Sequence, residues 1–150
     1  MKKLGNFYLC AMLVAVLLTT GLTSCMTAKK KAILAQNKPL TETYWVLTHV
    51  KGESIPKPIV TPWMTFDPDG RYYGNLGCNQ YAGKYQSRKD HIKMEFDAST
   101  KKLCHDMKVE KLFLQALRAE FKKYEINKDV LYLKDANGEV LRFVAGEKPE

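Results

Sequence analysis

The chain predicts an α+β fold, in which about eight short strands carry one amphipathic helix inserted before the last three. Three observations predict it. The run from Gly74 to Tyr85 crowds glycine, cysteine and tyrosine together. Glycine serves where the backbone needs positive φ or where another segment comes too close for a side chain, so this run implies a sharply bent strand pair. Short aromatic and β-branched stretches recur on both sides of it, separated by turn residues. After Asp106 the apolar period becomes helical.

Tyr44 to Val50, rich in aromatic and β-branched residues, is the first strand, closed by Lys51-Gly52. Pro56, Pro58 and Pro62 prevent regular pairing and mark a loop. Trp63 to Phe66 follows, and the turn Asp67-Pro68-Asp69-Gly70 returns it into Arg71 to Asn75. Asp67 and Asp69 make a poor calcium loop, because the other ligands of an EF-hand are missing. Gly83 to Ser87 and Ile92 to Phe96 flank the polar turn Arg88 to His91; Ile92, Met94 and Phe96 alternate with Lys93 and Glu95, the sign of one buried face. On the helix Val109, Leu112, Phe113, Ala116, Leu117 and Phe121 line one side, opposite Lys108, Lys111, Gln115, Arg118 and Lys122. Asp106 can cap its first turn, and Glu110 suits the positive end of its dipole. Tyr124 to Asn127, Val130 to Leu133 and Val140 to Val144 close the chain. Asp135-Ala136-Asn137-Gly138 joins the last two, and Asn-Gly between such runs is a strong hairpin signal. The expected core comprises Trp45, Phe66, Ile92, Phe96, Leu112, Phe113, Leu117, Leu131, Leu133 and Phe143, each on the apolar side of its period.

Ahead of this domain, Lys2 and Lys3 form a basic start, Phe7 to Leu18 an almost unbroken apolar stretch, and Leu22-Thr23-Ser24-Cys25 a small-residue cleavage site ending in cysteine. This is the pattern of a lipoprotein signal peptide, residues 1–24, with Cys25 as the acylated first residue of the mature chain. A membrane span needs roughly 20 apolar residues, more than this stretch supplies. Residues 25–40 read as a flexible basic tether ending in Asn37-Lys38-Pro39, and residues 41–150 as the domain. The roughly 110 residues left for it suit one core. Met26 is not aspartate, the usual inner-membrane retention signal of enterobacteria, so the expected location is the outer membrane facing the periplasm.

Charge excludes one class of partner. Of 24 basic residues, Lys2, Lys3, Lys29, Lys30, Lys31 and Lys38 precede the domain, leaving 18 against 16 acidic residues. A nucleic-acid binder would carry its basic excess as a patch on the domain, so no nucleic-acid partner is expected. The lysines of the tether can instead reinforce an anchor on an anionic lipid surface.

Gly77-Cys78-Asn79, Gly83-x-Tyr85 and the step from Thr100 to Cys104, with Trp45 in the opening strand and a helix before the leucine-rich closing strands, resemble the META domain (HslJ-like) of bacterial envelope proteins. The resemblance runs from Tyr44 to Phe143. It implies a bent, antiparallel, barrel-like sheet carrying a helix, and accessory or stress-associated roles. The sequence departs from the family where Lys101-Lys102-Leu103 stands, since methionine is frequent near there.

Cys78 and Cys104 both occupy cysteine positions of that pattern, in an exported chain, and are expected to pair or to lie close together. A bridge there would contribute roughly 3.5 kcal/mol in the chain-entropy model. The alternative is a redox or metal site with His105 beside Cys104, but a Cys-x-x-Cys pair is missing and adjacent residues rarely point at one ion. His49 and His91 read as a strand and a turn residue. His-Glu-x-x-His, Gly-x-Ser-x-Gly and phosphate-loop patterns do not occur, and the acidic residues are scattered over turns and the outer helix face. No catalytic, cofactor-binding or metal-ligating residue is assigned. The expected function is therefore that of a non-catalytic envelope lipoprotein that binds an envelope protein partner through its sheet or its Pro-rich loop and the membrane through acylated Cys25. The alternative is an inhibitor of a foreign hydrolase, a protease or lysozyme, with Lys51 to Pro62 as the inhibitory loop.

Overall fold

The computed structural model describes residues 37–148. Residues 1–24, Cys25 and most of the expected tether lie outside the described residues.

Among the described residues nine strands and one helix follow in the order β1 (Tyr44–Val50), β2 (Glu53–Ser54), β3 (Trp63–Phe66), β4 (Arg71–Asn75), β5 (Gln80–Arg88), β6 (His91–Ser99), α1 (Lys108–Leu117), β7 (Lys123–Asn127), β8 (Val130–Asp135) and β9 (Gly138–Gly146). The strand pairs are antiparallel, and β1 pairs with β9 as well as with β3, so the sheet comes round on itself in a barrel-like ring. The eight expected strands are present, and the α+β class with its helix before the last three strands holds. The ninth, β2, is a two-residue strand that extends the pairing along β1 at His49 and Val50.

Alternation places Trp45 and Leu47 of β1, Met64 and Phe66 of β3, and Leu131 and Leu133 of β8 inside the ring. Helix α1 contributes Phe113, whose ring lies 5.6 Å from that of Tyr81 and 5.9 Å from that of Phe143. It thus ties β5 to β9 through the interior. Among the described residues the core runs from Leu40 to Phe143, so the compact unit Asn37–Glu150 carries its own core and has what it needs to fold by itself. Asn37 to Leu40, expected in the tether, are fastened to this unit. The Asn37 amide donates to the Ile126 carbonyl at 3.0 Å, and the Trp45 indole N–H donates to the Leu40 carbonyl at 3.0 Å.

The glycine-rich hairpin of β4 and β5 explains itself in space. Gly74 stands opposite Tyr81 and Gly83 opposite Tyr72. A Cβ on Gly74 would meet the Trp63 carbonyl and the Tyr81 ring, and one on Gly83 the Glu95 carbonyl and the Tyr72 ring, both too closely to be accommodated. Each glycine is covered by the tyrosine across from it, and β6 bulges beside Gly83.

Two expectations about the helix are corrected. Leu112 is 42% exposed, while Glu110 is buried. The buried residues Val109, Glu110, Phe113, Ala116 and Leu117 centre the inner face nearer Phe113 than the apolar stripe alone suggests, and at about 100° per residue Leu112 rotates outward. Phe96 is partly buried rather than in the core proper. The Asp106 carboxylate accepts from the Lys108 N–H at 2.9 Å, although the helix boundary itself falls at Met107, which offers no side-chain cap. The last hairpin also differs in phase: Asp135 pairs with Gly138, leaving Ala136-Asn137 as the turn, and the Asp135 carboxylate accepts from the N–H groups of Asn137 and Gly138.

Candidate functional site

Asn79 is 1% exposed and organises the end of the ring to which the Gly-Cys-Asn motif belongs. Its backbone N–H donates to one carboxylate oxygen of Glu110 at 2.9 Å, and its side-chain amide donates to the other at 2.8 Å. The same amide donates to the Lys102 carbonyl at 3.0 Å. Its Oδ1 accepts from the Thr100 hydroxyl and from the Lys102 N–H, both at 2.7 Å. One side chain therefore joins the β4–β5 turn, the segment leading out of β6 and the first turn of α1. The position of Glu110 in that first turn also suits its charge.

Cys78 and Cys104 are bonded in the structure, with Cα atoms 6.2 Å apart, and the bridge runs parallel to the Asn79 links. His105 is exposed beside Cys104. His49 bonds with Thr48 and Ser54, and His91 pairs with Asp90. Among the described residues no cluster of three or more histidine, cysteine or acidic side chains is placed to hold a metal. The sequence reading missed Glu110 as a buried group. Its available signal was the position between Val109 and Phe113, two residues of the inner face.

Two phenols, those of Tyr72 and Tyr81, are also buried in the ring. Burial pushes the Tyr81 hydroxyl well above its ordinary value, with Tyr72 adding to the effect, and it donates to the Trp63 carbonyl at 3.2 Å. Burial likewise raises Tyr72, with Asp97 adding, and its hydroxyl is among the buried polar atoms without a partner. Both stay protonated and neutral at ordinary pH.

Outside the ring, the row Tyr73, Ala82 and Ala98 stands in register across β4, β5 and β6. A tyrosine ring thus borders two methyl side chains, and a groove of about 650 Å³ opens there, with Trp63 along it and Gln80, Ser99 and Thr100 on a polar margin. Tyr73 is 40% exposed, and its ring meets that of Trp63 edge-on at 6.2 Å; Trp63 in turn lies 4.8 Å from Tyr44. These strands present an aromatic surface to solvent.

A family model described as "META domain" matches residues 38–148. No match was found among curated proteins. Two solved structures are similar. One, described as an NMR structure of the protein, is 18% identical with a TM-score of 0.56, over 71% of this chain and 91% of that one. The other, an NMR structure of the protein from Burkholderia xenovorans, is 22% identical with a TM-score of 0.56, over 73% and 85%. At these identities the likeness concerns the fold alone.

Proposed function

The chain belongs to the META domain family, and from that premise we propose that it is a non-catalytic accessory module of the cell envelope, anchored through acylated Cys25, that binds an envelope protein. The groove beside Tyr73 carries this reading. Exposed aromatic residues with a polar margin are a feature of protein-binding surfaces. The buried carboxylate of Glu110 has a structural use in this reading, because both its oxygens accept from Asn79.

The test is photo-crosslinking in the envelope from a reactive residue placed at Ala98, with and without Tyr73→Ala. The expected result is one resident envelope protein whose crosslinking falls at least several-fold in the Tyr73→Ala background. Capture of a secreted protease or lysozyme from the Lys51 to Pro62 loop would replace this reading with the inhibitor. Crosslinking that Tyr73→Ala leaves unchanged would remove the groove from the function.

A further inference from the structure

From the juxtaposition of exposed aliphatic side chains and lysines on the loops around the Cys78–Cys104 bridge, we propose that this end of the domain docks onto an anionic lipid surface. Leu103, Ile59 and Val60 enter the interfacial region, while Lys57, Lys101 and Lys102 meet the headgroups.

Leu103 is 96% exposed, Ile59 77% and Val60 46%. They come from loops distant in sequence yet adjoining in space. The Val60 carbonyl lies 3.6 Å from where a Cβ on Gly77 would stand, Gly77 precedes Cys78, and Cys78 is bonded to Cys104, the neighbour of Leu103. Lys57, Lys101 and Lys102 are exposed on these loops, and Lys108 and Lys111 are exposed on the first turns of α1. Glu53 and Asp106 are the exposed acids of the same segments, and Asp106 is engaged with the Lys108 N–H.

Composition selects the partner. Protein interfaces favour aromatic residues and arginine and are poor in lysine, whereas this end combines branched aliphatics with lysine. That combination suits a bilayer surface, where aliphatic side chains gain by shallow burial and each lysine gains from anionic lipid. Presentation is rigid as well: Asn79 holds both the N–H and the carbonyl of Lys102, so Leu103 is fixed outward before docking and little ordering remains.

The inference takes from the preceding reading only the envelope location. The test uses the unit Asn37–Glu150, which lacks Cys25, so a failed anchor and a failed docking surface are read separately. In flotation at low salt, partition onto phosphatidylcholine vesicles containing phosphatidylglycerol should exceed that onto phosphatidylcholine alone at least ten-fold. Lys101→Ser and Lys102→Ser should each weaken it by about five-fold, and Leu103→Ser by about ten-fold. Equal partition onto both vesicles, or substitutions without effect, would overturn the proposal. In the full acylated chain on vesicles, Leu103→Trp should be quenched by brominated lipid, and a tryptophan emission that stays water-like would overturn it too. If Leu103→Ser instead abolishes a crosslink to a protein and no vesicle binding is seen, this end is a protein-docking surface.

Discussion

The junction around Asn79 and the loop tips it supports invert the usual distribution of polar and apolar groups. Asn79 and Glu110 are 1% and 6% exposed, while Leu103, one residue beyond the Lys102 that Asn79 holds, is 96% exposed. Burying a polar pair is costly unless every lone pair and proton is matched, and exposing a leucine brings no folding stability. The difference teaches that order at this end comes from matched hydrogen bonds and a covalent bridge rather than from apolar burial. A chain built this way can leave its aliphatic residues outside without letting their loops collapse.

Removing the centre of the junction should break that arrangement. Asn79→Ala takes the side-chain amide, one of two donors, from the buried Glu110 carboxylate, and uncompensated buried charges cost about 3 to 5 kcal/mol. The backbone N–H survives the substitution, which places the expected loss toward the lower end. Leu117→Ala, a cavity in the apolar part of the same helix, should cost about 2 to 5 kcal/mol in chemical denaturation. The two differ in one readout. Asn79→Ala should also loosen the Lys101 to Cys104 segment in hydrogen exchange, whereas Leu117→Ala should leave it protected relative to global unfolding. Equal protection in both variants would show that the hydrogen bonds do not hold the tips.

Reduction of the Cys78–Cys104 bridge comes next. With a sequence separation of 26, its closure is worth about 3.5 kcal/mol in the chain-entropy model, and the denaturation midpoint under reductant should fall accordingly. The Asn79 links run parallel to the bridge, so the folded state should survive with its ring intact. Loss of the fold on reduction would make the bridge, not Asn79, the organiser of this end.

The phenols inside the ring sharpen the comparison from the opposite side, since there polar atoms are buried in a largely apolar setting. Burial raises both Tyr72 and Tyr81 above the ordinary 10.0. With the folded value above the unfolded one, their contribution is complete below about pH 10 and is lost as pH rises beyond it. Spectroscopic titration should therefore show two phenols that ionise only above the others, together with falling stability. Ionisation of every tyrosine in one step near pH 10 would place Tyr72 and Tyr81 in contact with water.

Much of the fold was legible, and the failures share a cause. Strand positions followed from period-two alternation bounded by turn residues, because one face of each strand is buried and the other is not. The crowding of glycine and tyrosine in β4 and β5 correctly signalled close approach, which became the cover of Gly74 by Tyr81 and of Gly83 by Tyr72. Glu53-Ser54 gave no strand signal, since both side chains are exposed and only backbone pairing with His49 and Val50 makes the strand. Glu110 read as a surface carboxylate at a helix start because its partner Asn79 lies 31 residues away in sequence. Long-range polar matching leaves no local period. Leu112 was misplaced for the same reason, as the inward turn of Glu110 decides which flank of the stripe faces water.

The smallest expected effect tests the exposed side of the inversion directly. Leu103→Ser should change stability by less than about 0.5 kcal/mol, because a side chain 96% exposed surrenders almost no buried area on substitution. Ile59→Ser, at 77% exposure, should behave alike. Both are read in the same denaturation experiment as Asn79→Ala, with the bridge intact. A loss above 1 kcal/mol for either would mean that the tips pack against something within the folded chain, and would remove them from any external contact. A null effect on stability makes these residues free to act on a partner, since their replacement then alters the surface and leaves the scaffold that presents it unchanged.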